Sequence, residues 1–409
     1  MSWGWLVCLL GVVTILAILS KAGLSRVGLP PVVGYLVLGF LLRVAAVRWN
    51  LLSAEEQGIF QFLAELGIAC LLFRVGLQSN FAGLLGQLRR AIVVWLGDFT
   101  ISGTIGFVAA YFVLGLELPT SLVIAIALTA TSVGVSVATW QSSGNLQSPA
   151  GQLLVDVAEL DDISGIVAMS MLFSLLPVIH DGSHDGLLPQ LLRTAGLFTL
   201  SLGGFATVCY GFSRYAEERL TRFFVRMGSA SDRMLLVVST GFIIASLAAW
   251  LGFSIAIGSF FAGLLFSRDP QSVRIDASFD AVYELLMPFF FIGIGLNIVP
   301  SSLGLAAGLG AVLLVAAILG KLLGNGLPIL LTLGKTSAAV IGVSMLPRAE
   351  IAMVVMSQGL RLGDWAVPPR VYGAMVLVSA TTCVLSPLAA NVLLRRWPQP
   401  QIDESSGKS

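Results

Sequence analysis

Apolar runs of about 20 residues, the length that carries a helix across a bilayer, recur along almost all of the 409-residue chain. Read by that pattern, thirteen candidate spans start near Trp3, Leu29, Gly58, Ala91, Leu118, Val155, Leu188, Met234, Phe253, Phe279, Ser302, Ser337 and Val371. The apolar signal is weakest near Gly58, where Glu65 and Arg74 intervene, and near Phe253, where the run is short. The fold class expected from this pattern is an all-α polytopic membrane protein with about 13 transmembrane helices.

Two of the spans are not uniform. "ALTATSVGVSVATW", Ala127 to Trp140, holds Thr129, Thr131, Ser132 and Gly134 where an apolar helix has no need of them. "IGVSMLPRAEIAMVV", Ile341 to Val355, contains Pro347, which removes a backbone donor and disfavours helix at Leu346. Both are candidate breaks; the alternative is a hydroxyl-rich packing surface in the first and a simple kink in the second.

The breaks sit at corresponding places in a repeat. "VGLPPVVGYLVLGFLL" from Val27 aligns with "LGFSIAIGSFFAGLLF" from Leu251 at an offset of 224, so that Gly28, Gly34 and Gly39 fall on Gly252, Gly258 and Gly263. "FRVGLQ" around Gly76 matches "IGIGLN" around Gly295 at an offset of 219. The aligned spans are separated by an odd number, so the halves run oppositely through the bilayer. Inverted repeats of this kind typify secondary transporters, whose site lies near the midplane where discontinuous helices meet.

Composition agrees, with 56% hydrophobic and 11% charged residues and a mean hydropathy of +0.93. Of the 23 Lys and Arg residues, 15 fall on one predicted side, 5 on the other and 3 (Arg74, Lys321 and Arg348) within apolar segments. The richer side is expected to be cytoplasmic, with the amino terminus outside and the carboxyl terminus inside. The first apolar stretch lacks a basic start and a small-residue cleavage site, so it is read as a retained span. Cys8, Cys70, Cys209 and Cys383 lie in spans without metal-ligand spacing and are expected to be buried small hydrophobes. His180 and His184, the only histidines, fall in "HDGSHDG" after Pro177, read as a polar connector.

Charges inside the spans are the candidate chemistry, because an ionised side chain at the bilayer centre costs at least about 2.5 to 3.5 kcal/mol. "VDVAELDDISGIVAMS" concentrates Asp156, Glu159, Asp161 and Asp162 at the start of its run. Asp161 and Asp162 stand roughly 10 to 12 Å into that segment and point in different directions, so they can face different partners. Asp156 and Glu159 lie nearer the end, where a helix amino terminus favours carboxylates without any function. Lys321, in "ILGKLLGNGLP", is a partner for Asp161 that would let both stay charged. Arg348 is placed to meet Glu350, Glu159 or Asp156; Arg348 and Glu350 face different ways on their helix and are read mainly as inter-helix bridges. Asp162 is left without an evident mate.

These residues resemble the cation:proton antiporter-2 family of bacterial membrane transporters. The matching motifs are "LGIACLLFRVGL", "ALTATSVGV", "AELDDISGI", "LGFSIAIGSFFAGLLFSR", "PFFFIGIGL", "GKLLGNGLP" and "MLPRAEIA", in order from about Val27 to Gln358. The resemblance implies a core domain with two crossed, partly unwound helices beside a dimerisation domain, and hence a homodimer. It implies that Asp162 is the carboxylate binding cation or proton, that Asp161 is the preceding acid of electrogenic members and that Lys321 pairs with it. Thr131 and Ser132 would supply oxygens near the ion, with Glu159, Arg348 and Glu350 as supporting residues. Arg74 and Ala349 depart from the family pattern, the first in place of an apolar or acidic residue and the second in place of glycine.

The domain layout expected is an exchanger domain over 1–396, with repeats at about 27–213 and 251–396, and a short cytoplasmic tail at 397–409. No fused nucleotide-binding regulatory domain is expected, and no cofactor or nucleic acid. The partners expected are monovalent cations, protons and the lipid of the cell membrane. The activity expected is exchange of Na⁺, or alternatively K⁺, for protons. It is electrogenic if cation binding both deprotonates Asp162 and separates Asp161 from Lys321, so that the lysine releases a proton. Electroneutral exchange with Asp161 and Lys321 as a fixed bridge is the alternative, and a cation channel or leak is the rival class. The spans carry no His-Glu-x-x-His pair and no histidine base, so no enzyme is expected.

Overall fold

Each predicted apolar segment contains helix in the computed structural model, which describes residues 3–27, 29–49, 52–78, 81–181, 187–215, 230–250, 255–266 and 277–399. In chain order the helices are α1 Trp3–Arg26, α2 Pro31–Trp49, α3 Ala54–Gln78, α4 Phe81–Val108, α5 Leu118–Thr129, α6 Val133–Ser142, α7 Pro149–Asp181 and α8 Leu187–Tyr215. There follow α9 Ala230–Trp250, α10 Ile255–Leu265, α11 Ala277–Leu296, α12 Leu303–Thr332, α13 Gly334–Ser344, α14 Glu350–Leu362 and α15 Pro369–Arg396. Among the described residues nine helical segments are long and apolar enough to cross a bilayer, with shorter apolar helices at Leu235–Trp250 and Ile255–Leu265. Large apolar side chains such as Trp3, Val208, Trp250 and Leu331 lie exposed on helix surfaces, a pattern suited to a lipid environment.

The chain divides into two compact units, one of Met1–Ala17, Ala45–Gly83 and Ser170–Gly293, the other of Ile18–Val44, Leu84–Met169 and Ile294–Ser409. In the first, α3 and α9 pack on α10. A Cβ on Gly76 would strike the backbone of α10 at Phe260, Gly263 and Leu264, so only glycine allows α3 to lie so close. In the second unit, a Cβ on Gly295 would strike α2 at Leu36, Gly39 and Phe40. Gly76 and Gly295 are the aligned pair of the sequence repeat, and Gly39 and Gly263 are another. Within the repeats expected at about 27–213 and 251–396, the second helix of each thus packs against the first helix of the other. Gly28 and Gly252 lie outside the described residues.

In the second unit, α12 packs on α13 and α15, α14 on α5, and α6 on α15. Fully buried Trp140, Leu154, Val157, Ile329, Val340, Ile341 and Met345 form its apolar core. Gly334 (φ 85°) and Gly363 (φ 115°) take the left-handed backbone that lets the chain turn before α13 and after α14. The first residues of the expected tail are held to this unit: the Gln399 amide donates to Asn145 Oδ1 at 2.9 Å, and Ser337 Oγ donates to Gln399 Oε1 at 2.8 Å.

Three sequence expectations change. Helix α7 begins at Pro149, six residues before Val155, because Ser148 caps it: its Oγ accepts from the Gly151 amide at 3.1 Å and its carbonyl from the Gln152 amide at 2.9 Å. Asp156 and Glu159 therefore lie beyond the first turn, and stabilisation by the helix terminus does not explain them. The same helix continues through Pro177 to Asp181, so His180 belongs to its last turn and not to a loop; His184 lies outside the described residues. Cys8 is exposed on α1, whereas Cys70 and Cys383 are buried as expected; the Cys209 side chain lies outside the described residues.

Candidate functional site

The site grows from two interrupted helices in the second unit. Helix α5 ends at Thr129, and Ala130 (φ −64°, ψ 147°) and Ser132 (φ −84°, ψ 101°) are extended before α6 begins. Helix α13 ends at Ser344, and the chain runs unwound through Pro347 to Ala349 before α14. Ala349 has a negative φ of −121°, so this position makes no demand for glycine. Within a membrane each freed backbone group needs a partner, at a cost of several kcal/mol if it has none.

The two breaks supply one another. The Ser132 amide donates to the Pro347 carbonyl at 2.8 Å, and Ser136 Oγ donates to the Ser344 carbonyl at 2.6 Å. Trp140 Nε1 donates to Ser344 Oγ at 2.8 Å, while Ser386 Oγ closes the Val343 carbonyl at 2.7 Å. The Arg348 amide donates to Thr382 Oγ1 at 3.2 Å, and its carbonyl accepts from Ser379 Oγ. At the end of α5, Lys321 Nζ donates to the Thr129 carbonyl at 2.7 Å and the Arg348 guanidinium donates to the Ala130 carbonyl. Two cations thus occupy the negative end of a half-helix, where the peptide dipoles favour them.

Lys321, Asp98 and Asp161 are 0%, 0% and 1% exposed. Lys321 Nζ pairs with Asp161 Oδ2 at 2.8 Å and also directly with Asp98 Oδ2. Asp98, on α4, was not among the residues that the sequence pattern singled out. Its other oxygen, Oδ1, accepts from Ser102 Oγ at 2.9 Å. Gly320 and Gly324 set the approach of α4 to α12: a Cβ on Gly324 would stand 2.8 Å from Asp98 Cα, and one on Gly320 would stand 3.0 Å from Ser102 Cα. Four-residue spacing of small residues is what lets two membrane helices come this close.

Thr131 Oγ1 donates to Asp161 Oδ2 at 2.6 Å, so that oxygen serves both the hydroxyl and the lysine. Asp161 Oδ1 is buried and has no hydrogen-bond partner among the described residues. Asp162, next in the chain and 6% exposed, has no hydrogen bond or ion pair among the described residues. The open acceptors of this acidic pair are therefore Asp161 Oδ1 and the Asp162 carboxylate. Glu159 is half-buried one turn before Asp162 and likewise has no such partner.

Other sequence assignments sort differently. Ser132 does not join Asp161; its hydroxyl donates to Glu350 Oε2 at 2.6 Å. Glu350 opens α14, a position where a carboxylate suits the helix dipole. Arg348 forms no bridge to Glu350, Glu159 or Asp156, because it precedes α14 and reaches back to the Ala130 carbonyl. Its Nε and the second terminal nitrogen have no hydrogen-bond partner among the described residues. In the first unit Arg74 lies over the Tyr283 ring, 4.3 Å from its centroid, and 3.7 Å from Asp280 Oδ1.

Comparison with known proteins places this arrangement in context. The family model described as "Sodium/hydrogen exchanger, transmembrane" matches residues 11–396. The Na(+)/H(+)-K(+) antiporter GerN of Bacillus cereus is 25% identical over 364 residues, 88% of this chain and 89% of that protein. The high-affinity Na(+)/H(+) antiporter NhaS3 of Synechocystis is 26% identical over 401 residues, 88% of this chain and 84% of that one. In fold, the sodium proton antiporter MjNhaP1 of Methanocaldococcus jannaschii superposes with a TM-score of 0.69 at 16% identity, covering 97% of each chain.

Proposed function

Because this chain belongs to the transmembrane sodium/hydrogen exchanger family, we propose that it exchanges a monovalent cation for protons across the cell membrane by alternating access. Na⁺ is the first candidate, since the relatives are Na⁺/H⁺ antiporters by name, and K⁺ the second, since one is also named for K⁺. The observation that carries the reading is the Asp162 carboxylate, buried beside Asp161 with no hydrogen-bond or ion-pair partner among the described residues, in the unit where two interrupted helices cross.

Burial penalises the charged form of a carboxyl group, and either a proton or a bound cation removes the penalty. A single buried acid that takes one or the other is a carrier with two loaded forms and a costly empty one. Asp162 has that role here, with Asp161 Oδ1 as the second open oxygen and the Thr131 hydroxyl fixing the orientation of Asp161. Release of the Asp162 proton on cation binding couples the two fluxes, because each ligand lowers the affinity for the other. Ser132, Glu350 and Arg348 hold the crossing in shape around this pair.

The number of protons per cation depends on Lys321. Asp161 as its sole counter-ion gives the electrogenic scheme, in which the lysine is freed to lose a proton. Asp98 is a second counter-ion and favours the electroneutral reading. The Lys/Arg bias supports a reading with the amino terminus outside and the carboxyl terminus in the cytoplasm, and the family resemblance supports a homodimer.

The test is reconstitution into liposomes containing a pH dye, with Na⁺, Li⁺ and K⁺ added in turn. The wild type moves protons when its cation is added, and folded Asp162→Asn does not. Robust cation-dependent proton flux in that variant overturns the role of Asp162.

A further inference from the structure

Resting on the reading that Asp162 exchanges proton for cation, we propose that Asp98 keeps the proton of Lys321 inside the protein throughout the cycle, so that one proton is exchanged per cation. Lys321 Nζ has three acceptors: Asp98 Oδ2, Asp161 Oδ2 at 2.8 Å and the Thr129 carbonyl at 2.7 Å. An ammonium carries three donors and no acceptor, so this shell is its complement. A neutral amine has a lone pair that would face one of those oxygens.

Consider a cation arriving at Asp161 and Asp162. Asp161 is drawn to the cation and the lysine loses part of its compensation. Were Lys321 then to release its proton to water, Asp98 would remain as a charge 0% exposed that has lost its one ion-pair partner among the described residues, the costly outcome of breaking a buried pair. Two alternatives avoid this. In one, the proton stays on Nζ and Lys321 remains paired with Asp98. In the other, it crosses the existing hydrogen bond from Nζ to Asp98 Oδ2, leaving a neutral amine beside a neutral acid. In both, the proton stays within the pair, and the only proton delivered to water is that of Asp162.

The surroundings support a fixed pair. Ser102 Oγ holds the other Asp98 oxygen at 2.9 Å. The glycines at 320 and 324 hold α4 against α12, so that Asp98 does not need to travel with Asp161, which lies on α7. The other charged groups near the lysine are Asp162, one residue beyond Asp161, and Arg348, bound to the carbonyl next to that of Thr129. Asp98 is a positioning residue in this account: it acts on the exchange through Lys321.

The experiment uses the full chain in liposomes with an internal pH dye. A tenfold gradient of Na⁺, or of K⁺ where only K⁺ moves the dye, is set against a series of pH gradients with and without an imposed membrane potential. One-for-one exchange stops at an opposing gradient of one pH unit, and the potential does not shift that balance point. Two protons per cation would put the balance at half a pH unit and make it shift with potential; that result overturns the proposal while leaving cation/proton exchange intact. No cation-driven pH change at all overturns the exchange reading itself, and the proposal with it. In Asp98→Asn the lysine keeps Asp161 as its only carboxylate, and the balance point becomes sensitive to potential, whereas Asp98→Glu retains the wild-type behaviour. An Asp98→Asn balance point at one pH unit, unmoved by potential, denies Asp98 this role. The wild-type balance point decides the stoichiometry even where Asp98→Asn fails to fold.

Discussion

Replacing Lys321 by methionine removes the ammonium while keeping much of the side-chain volume, and it strips the counter-ion from two acids at once. Asp98 and Asp161 are 0% and 1% exposed, so neither can turn to water for compensation. Removing one partner of a buried ion pair costs about 3–5 kcal/mol, and the Thr129 carbonyl left without its donor adds about 1–3 kcal/mol. Methionine recovers some apolar contact, so a net loss of about 4 kcal/mol is expected at neutral pH. The assay is unfolding of the purified protein by detergent titration, for Lys321→Met in the wild type and in Asp98→Asn/Asp161→Asn. In the second background the lysine is itself the unpaired charge, and its removal should restore stability, giving a coupling energy of at least about 2 kcal/mol. A cost under about 1 kcal/mol that is the same in both backgrounds refutes the triad as an energetic unit.

Gly324→Leu should separate α4 from α12, because its Cβ would stand 2.8 Å from Asp98 Cα. A loss of about 1–3 kcal/mol together with loss of exchange is expected, while Gly326→Leu, with nothing within 4 Å of the added Cβ, should be tolerated. Equal behaviour of the two variants in flux and unfolding assays contradicts the packing argument. Arg74→Met removes the contact with Tyr283 and a pair with Asp280 whose side chains are 29% and 48% exposed. It should cost no more than about 1 kcal/mol in the same unfolding assay and leave exchange at the wild-type level.

The interrupted helices were legible because their causes are local. Thr129, Thr131 and Ser132 compete with the backbone for hydrogen bonds, and Pro347 withholds a donor. Lys321 and Asp161 were legible as charges out of place in apolar runs. Asp98 met the same criterion, alone in "AIVVWLGDFTISGTIGFV", yet its partner lies 223 positions away and Asp161 had already been matched to the lysine. Counting every intramembrane acid against three cations would have exposed the surplus. The "GKLLG" spacing in the Lys321 segment, which the sequence reading left unused, permits a close helix approach but does not name the helix. Arg348 was matched to carboxylates because a backbone carbonyl such as that of Ala130 leaves no trace in the sequence. The early start of α7 was hidden by polar Gln152 and by glycine within an apolar reading frame, although Ser148 before Pro149 is a capping signal.

Cation binding to the purified wild type, followed calorimetrically in buffers of different ionisation enthalpy, counts the protons released at the site without any need for transport. One proton should leave for each cation bound, and the apparent affinity should fall about tenfold for each pH unit on the acidic side. Cation binding that releases no proton and keeps the same affinity across that range contradicts the claim that H⁺ and the cation share one buried acid.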